Sequence, residues 1–275
     1  MRSLFLLSIF VLGMAATIPS RSPVELPQDP LYLPNGKALE LLSFGFRNAL
    51  SNYLWMQTLS DFGLHYRSDR QYKWFRHQCE LVTRLNPRSF EPFYLCSSLL
   101  AFEAKDPAGA IAMLDKAIIA QPNTWLFFYY RGFYRLYFNH DHLGAKSDFI
   151  EASKRPDANP IAARLASKSM SELDSPKSAI QFLTNAIRSA RDDAARSALQ
   201  GRLNELIYEE NLKAIDAALE KVPAAKTVEE LVAAGVYSGP LTDPFGGHYT
   251  IQGGKADSTS DKQRLSEYRG LKRNL

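Results

Sequence analysis

Apolar residues along most of this chain recur at steps of three and four, the spacing that gathers them on one face of an α-helix. From Lys37 onward, Leu41, Leu42, Gly45, Phe46, Ala49, Leu50, Tyr53, Leu54 and Met56 predict helix with one broad apolar face. Gly45 marks a junction between two helices there. The same periodicity runs on to about residue 221, where Leu199, Leu203, Leu206, Ile207, Leu212, Ile215 and Leu219 form the last long face. That stretch reads as a helical cap with a polar outer side, closed by Pro223.

Superimposed on the helical period is a longer one. Gly63, Phe75, Cys79, Val82 and Pro87 form one unit, with offsets of 12, 16, 19 and 24 from the glycine. Ser98, Ala110, Leu114, Ala117 and Pro122 repeat those offsets. Gly132, Ala145, Phe149, Ala152 and Pro156 form a third unit, and Ser167, Ala179, Leu183 and Ala186 a fourth without a closing proline. A small residue at the head of each unit lets a second helix approach, and proline stops that helix before the next unit. Between paired helices the sequence supplies N-caps: Asp106-Pro107, Asp141, Ser175-Pro176, and a capping box from Ser68 to Gln71. Each cap is expected to separate a longer first helix from a shorter second one.

Past the helices, Thr227 to Glu230 is a further capping box, opening a short helix with Gly235 as its stop. Asp243-Pro-Phe-Gly-Gly-His-Tyr249 is turn-rich, and the runs on either side of Gly253-Gly254 predict a small β-hairpin. At the other end, Arg2, the apolar run Leu4 to Met14, and Ala15-Ala16 have the layout of an export signal. Extended to Ile18 the run also fits a retained anchor, and a buried N-terminal segment is the third reading. Prolines 19, 23, 27, 30 and 34 make 19–36 an extended linker. The expected domains are therefore 1–18 signal or anchor, 19–36 linker, 37–222 helical solenoid, 223–260 short helix, turn and hairpin, and 261–275 a basic tail.

The unit of about 34 residues resembles the tetratricopeptide repeat, over roughly residues 56–190. The resemblance implies an all-α, right-handed superhelical solenoid of antiparallel helix pairs, with the hairpin as a C-terminal appendage. The Asp243 to Tyr249 run, together with the Leu41 to Leu59 helix pair, is also similar to a group of bacterial envelope tetratricopeptide proteins. Its Asp-Pro-aromatic-Gly-Gly-x-Tyr pattern looks like a segment of type II secretion pseudopilins too. These likenesses imply an exported protein, in the periplasm or on the periplasmic face of the inner membrane. They imply a non-catalytic scaffold for protein–protein interaction, whose membrane association runs through the N-terminal segment only.

Composition changes this picture little. The chain has 275 residues, 45% apolar and 23% charged, with a net charge of +4. The tail carries much of that charge, so no basic stripe argues for nucleic acid. Only two cysteines occur, Cys79 and Cys96. They are expected to be near neighbours, either as buried thiols or, in an exported chain, as a disulfide.

The strongest oddity is Thr124 to Phe138, where nine of fifteen residues are aromatic. They cannot all face one way on a helix, so many of them belong to a sandwiched core. By the tetratricopeptide resemblance, the inward positions are Pro92, Leu95, Leu99 and Phe102 in the second unit, and Leu126, Tyr129, Phe133 and Leu136 in the third. They imply an apolar groove for an amphipathic helix or peptide. Arg131 and Arg135, four apart, either clamp a partner's carboxylate or pair with local acids. His140-Asp-His142 has too few ligands for zinc, and Asp243 with Gly246 and Gly247 too few oxygens for calcium. No cofactor is implied, and no catalytic motif is present, so the expectation is no enzyme. A glycan or small-ligand module, and an enzyme with scattered catalytic residues, are the alternatives.

Overall fold

A computed structural model describes residues 36–260 and 262–264. The signal or anchor at 1–18, nearly all of the 19–36 linker, and the tail apart from 262–264 lie outside the described residues. Eleven helices and one hairpin are described: α1 (Gly36–Leu42), α2 (Arg47–Arg67), α3 (Phe75–Leu85), α4 (Phe90–Phe102), α5 (Pro107–Ala120), α6 (Trp125–Asn139), α7 (His142–Ser153), α8 (Pro160–Leu173), α9 (Pro176–Arg188), α10 (Asp193–Lys221), α11 (Val228–Ala233), β1 (Tyr249–Gln252) and β2 (Lys255–Ser258). From α2 to α10 each helix packs on the next, as an all-α solenoid of consecutive antiparallel pairs.

The repeat period is written in the buried positions. Phe75, Ala110, Ala145 and Ala179 are each fully buried at the start of a second helix, at steps of 35, 35 and 34 residues. Cys79, Leu114, Phe149 and Leu183 follow one turn later, and Val82, Ala117 and Ala152 one turn after that. These are i, i+4 and i+7 positions, so each second helix buries one stripe against the first helices on either side. Pro87, Pro122 and Pro156 fall in the turns that lead to α4, α6 and α8. Helix lengths alternate less than expected: α4 has 13 residues against 14 in α5.

Caps define most boundaries. Asp106 accepts from the Gly109 amide at 2.8 Å, Asp141 from Gly144 at 2.8 Å, and Ser175 from Ser178 at 3.1 Å. Thr227 caps α11, and the Glu230 carboxylate reaches back to the Lys226 amide at 2.8 Å. Gly235 follows with φ +70°, a left-handed stop.

Ser68 does not open α3. Its hydroxyl bonds back to the Leu64 carbonyl, and Asp69 holds a local turn through the Gln71 amide. The helix starts only at Phe75, because Tyr72 and Trp74 are drawn into the core first, Tyr72 stacking on Phe62 at 4.9 Å. Burial of two large rings outweighs a cap that stabilises by about 1 kcal/mol. Gly63 likewise meets nothing within 4 Å, so it permits no close helix approach in the first unit.

The broad face predicted for Leu41 to Met56 divides. Ser51, Leu54 and Thr58 turn inward, whereas Leu41, Leu42, Phe46, Tyr53 and Met56 are exposed. The cause is position: α2 opens the stack, and α1 packs on α3 instead of covering it. Gly45, at φ +90°, provides the break between α1 and α2.

At the far end the stack is closed. The first half of α10 buries Leu199, Leu203 and Leu206 against Ala163, Ala179 and Leu183. Its second half supports a separate small core of Tyr208, Leu212, Ile215 and Leu219 with Val228, Leu231, Tyr237, Tyr249 and Ala256. The hairpin pairs Tyr249 with Ser258 and Gln252 with Lys255 around Gly253-Gly254, both at positive φ, as a two-residue turn requires. Residues 262–264 belong to this assembly: the Tyr208 hydroxyl donates to the Lys262 carbonyl at 3.0 Å, and Arg264 pairs with Asp216 at 2.7 Å.

Cys79 on α3 and Cys96 on α4 form a disulfide, with Cα atoms 6.0 Å apart, and both residues are fully buried. It joins the first unit to the second across the Pro87 turn. Closing a loop of this length removes unfolded-state entropy worth about 3 kcal/mol. Urea unfolding with and without reductant is expected to show that loss as a lower midpoint; equal midpoints would contradict it.

Candidate functional site: an aromatic face across α4 and α6

The aromatic helix α6 buries part of its ring content and displays the rest. Phe127, Phe128 and Tyr134 are buried. Trp125, Tyr129, Tyr130, Phe133 and Phe138 are half-buried, and Tyr137 is 61% exposed. One repeat earlier, α4 offers Tyr94, Leu95 and Leu99, all half-buried, and Phe102, which is exposed.

The two helices meet ring to ring. Tyr94 and Tyr130 lie 5.2 Å apart, with their hydroxyls at 3.3 Å. Phe102 packs edge-on against Tyr134 at 5.9 Å and touches Tyr137 at 6.5 Å. Phe133 stacks on Tyr137 at 5.7 Å with the rings nearly parallel. The Tyr134 hydroxyl shares a 3.1 Å hydrogen bond with Ser98. Offset and edge-on pairs of this kind hold rings in fixed positions. Burial, and then the Tyr94 hydroxyl, push the Tyr130 phenol above its ordinary value; burial does the same for Tyr134. Both therefore stay neutral, and the face is apolar with a few hydroxyls along it.

The inward positions fare unequally. Leu95, Leu99, Phe102, Tyr129, Phe133 and Leu136 all keep partial exposure on α4 and α6, as does Leu126. Tyr129 and Leu136 also pack toward Phe149 of α7. Pro92 is buried and lines nothing. The pattern missed Tyr94, Tyr130 and Tyr137. The offset between repeats could have found the first two, since Tyr94 to Tyr130 and Ser98 to Tyr134 are both 36 residues apart.

Arg131 and Arg135 pair with acids of the neighbouring helices. Arg131 donates from Nε to both oxygens of Asp148, at 3.2 and 3.1 Å, and from Nη1 to Asp115 at 2.7 Å. Arg135 donates to the second Asp148 oxygen at 2.9 Å. The Asp148 side chain is only 2% exposed. Burial pushes the Asp148 carboxyl up, against the arginines, which pull it down. Arg131 loses by burial but gains more from Asp148 and Asp115, and its net shift is upward. The backbone makes room for this network at Gly132, where an added Cβ would come within 3.0 Å of both Asp148 and Phe149. The guanidinium groups are thus spent on fixing α6 against α5 and α7.

The Asp243 turn is built as closely. Asp243 is buried; Oδ1 accepts from the amides of Phe245 at 2.7 Å and Gly247 at 3.1 Å, and Oδ2 from the Ser258 hydroxyl. A Cβ on Gly247 would lie 2.6 Å from the Asp243 carboxylate and 2.7 Å from the Ser260 amide nitrogen. The carboxylate therefore fastens the turn to β2. His248 is exposed, and its amide joins the turn through the Thr259 hydroxyl at 2.9 Å. Among the described residues, no three His, Cys, Asp or Glu side chains gather as metal ligands would.

Stacked antiparallel helix pairs with aromatic clusters on adjacent first helices define a helical-repeat protein with a face suited to binding. No protein-family model matches the chain, and neither does any curated protein sequence.

Burial works to raise the Asp243 pKa, but the hydrogen bonds from Ser258, Ser260 and the turn amides win, and the folded value falls below the ordinary 3.8. A carboxyl lowered by folding stabilises the fold fully above its unfolded pKa, and that stabilisation is lost as pH falls through the folded value. The stability difference between the natural chain and Asp243→Asn is therefore expected to be constant above about pH 5 and to shrink below 3.8. Thermal unfolding of both proteins across acid pH measures it; a difference that persists to pH 2 or so would contradict the assignment.

Proposed function

We propose that this chain is a tetratricopeptide-type scaffold of the bacterial cell envelope, non-catalytic, which grips an amphipathic helix or extended peptide of a partner protein on the α4–α6 aromatic face. The observation that carries the reading is the run of ring contacts from Tyr94 through Tyr130 and Tyr134 to Phe102 and Tyr137. It crosses two repeats, stays partly open, and is held rigid from behind by the Asp148 network. Rigid aromatic anchors give affinity at low entropic cost and dominate binding energy where they occur. Few charges line the face, which favours an apolar helix stripe over an acidic tail.

The repeat period of 35, 35 and 34 residues supports the family reading. The Cys79–Cys96 disulfide supports an oxidising compartment, and with the signal-like Leu4 to Met14 run it supports export. Among the described residues, no helix is long and apolar enough to cross a membrane.

A photo-crosslinking amino acid at Tyr137 is expected to capture one discrete protein partner in living cells. The same amino acid at Lys177, exposed on α9, is expected not to capture it. Capture that is lost when Phe102 and Phe133 are changed to Ala supports the face; equal capture from both positions would contradict it.

A further inference from the structure

The two ends of the stack are finished differently. The C-terminal end is covered by the second half of α10, α11 and the hairpin. The N-terminal end presents an apolar surface made by α1, the 43–46 bend and the outer side of α2. Leu41 is 81% exposed and Phe44 82%, with Leu42, Phe46, Tyr53 and Met56 also open. Phe46, Tyr53 and Met56 fall at i, i+7 and i+10, one stripe opposite the Ser51–Leu54–Thr58 side that packs inward. A terminal repeat ordinarily keeps a polar outer face for solubility, and a contiguous apolar patch marks an interaction site.

Shape and charge select the occupant. Phe44 and Gly45 hold positive φ, so the chain turns sharply between α1 and α2 and leaves Phe44 82% exposed at the tip of the turn. Side chains as exposed as Phe44 and Leu41 have little protein beside them, so they do not form the walled groove that would hold a helix. Lys37 and Arg47 flank the tip and are exposed. Glu40 is the one acid in residues 36–60, and Arg84 holds it at 2.7 Å. Protruding apolar and aromatic side chains fringed by cations match the interface of an anionic bilayer. In sequence, the tip follows the apolar run Leu4 to Met14 across a proline-rich stretch.

We propose that the α1–α2 tip docks in the interfacial layer of an anionic lipid bilayer, with Leu41, Leu42, Phe44 and Phe46 inserted and Lys37 and Arg47 at the headgroups. This surface is separate from the α4–α6 face and does not rest on the reading given for it. The docked tip would fix the orientation of the solenoid on the membrane, independently of how residues 1–35 are held.

The test uses the full chain with Phe44→Trp, and separately Phe46→Trp, each read as a difference from the natural chain. The probes are phosphatidylcholine vesicles with and without phosphatidylglycerol, some carrying lipids brominated near the headgroup end of the acyl chain. With phosphatidylglycerol present, the added tryptophan is expected to shift to the blue and to be quenched by the shallow bromines. Lys37→Glu with Arg47→Glu should weaken that response at least about tenfold. Vesicle binding without quenching at either position would overturn the proposal, since residues 1–35 alone would then hold the chain. A blue shift without vesicles that fades on dilution would overturn it in favour of a second copy. A blue shift without vesicles at every concentration would show the tip covered by the chain itself, and would overturn it too.

Discussion

The aromatic face depends on a buried carboxylate behind it. Asp148 on α7 sits at the centre of two arginines from α6, and Asp115 on α5 takes the remaining arm of Arg131. Helix α6 is apolar nearly all round, so hydrophobic burial alone would not choose its rotation. The arginines choose it: they lie on one side, at i and i+4, and the acids they pair with among the described residues are on α5 and α7. Once that side is turned inward, Tyr130, Phe133 and Tyr137 must face outward toward α4. Gly132 makes this possible by letting α7 come close enough for Asp148 to reach. A buried ion pair adds little net stability over an apolar one, so its value here is in specifying orientation.

The disulfide and the C-terminal assembly protect the two flanks of that central element. Cys79–Cys96 ties the first unit, with its irregular 68–74 turn, to α4. The Asp243 turn and residues 262–264 close the far end on α10. Between them α4 to α7 form a stretch in which each helix is packed on both sides. The α4–α6 aromatic face and the N-terminal tip lie on different elements of one stack.

Much of this was legible in the sequence because it follows from spacing. The 34–35-residue period, the proline stops and the caps at Asp106, Asp141 and Ser175 involve residues close together in the chain, where helix geometry fixes what meets what. The Gly-Gly hairpin was readable for the same reason. What failed needed tertiary information. Ser68 looks like a cap, but burial of Tyr72 and Trp74 moves the helix start to Phe75. Gly63 occupies a repeat position yet touches nothing. The broad Leu41 to Met56 face divides because periodicity shows that a face exists, not whether anything covers it.

The candidate face was half legible for a related reason. The inward positions Phe102, Tyr129 and Phe133 came from repeat register, and all three remain accessible. Arg131 and Arg135 share that helix, and the sequence leaves open whether they clamp a partner's carboxylate or pair with local acids. The placement of Asp148, seventeen residues on from Arg131, shows that both arginines pair within the fold.

The most direct test is a double-mutant cycle on Arg131 and Asp148, read by equilibrium unfolding. Asp148→Leu alone strands two partly buried cations, and Arg131→Met alone strands the carboxylate with Arg135 only; each is expected to cost about 3–5 kcal/mol. The double variant is expected to lose less than the sum, because Arg131 and Asp148 are then removed together and only the more exposed Arg135 and Asp115 are left without their partners. Single losses that simply add would contradict the claim that this pair sets the orientation of α6.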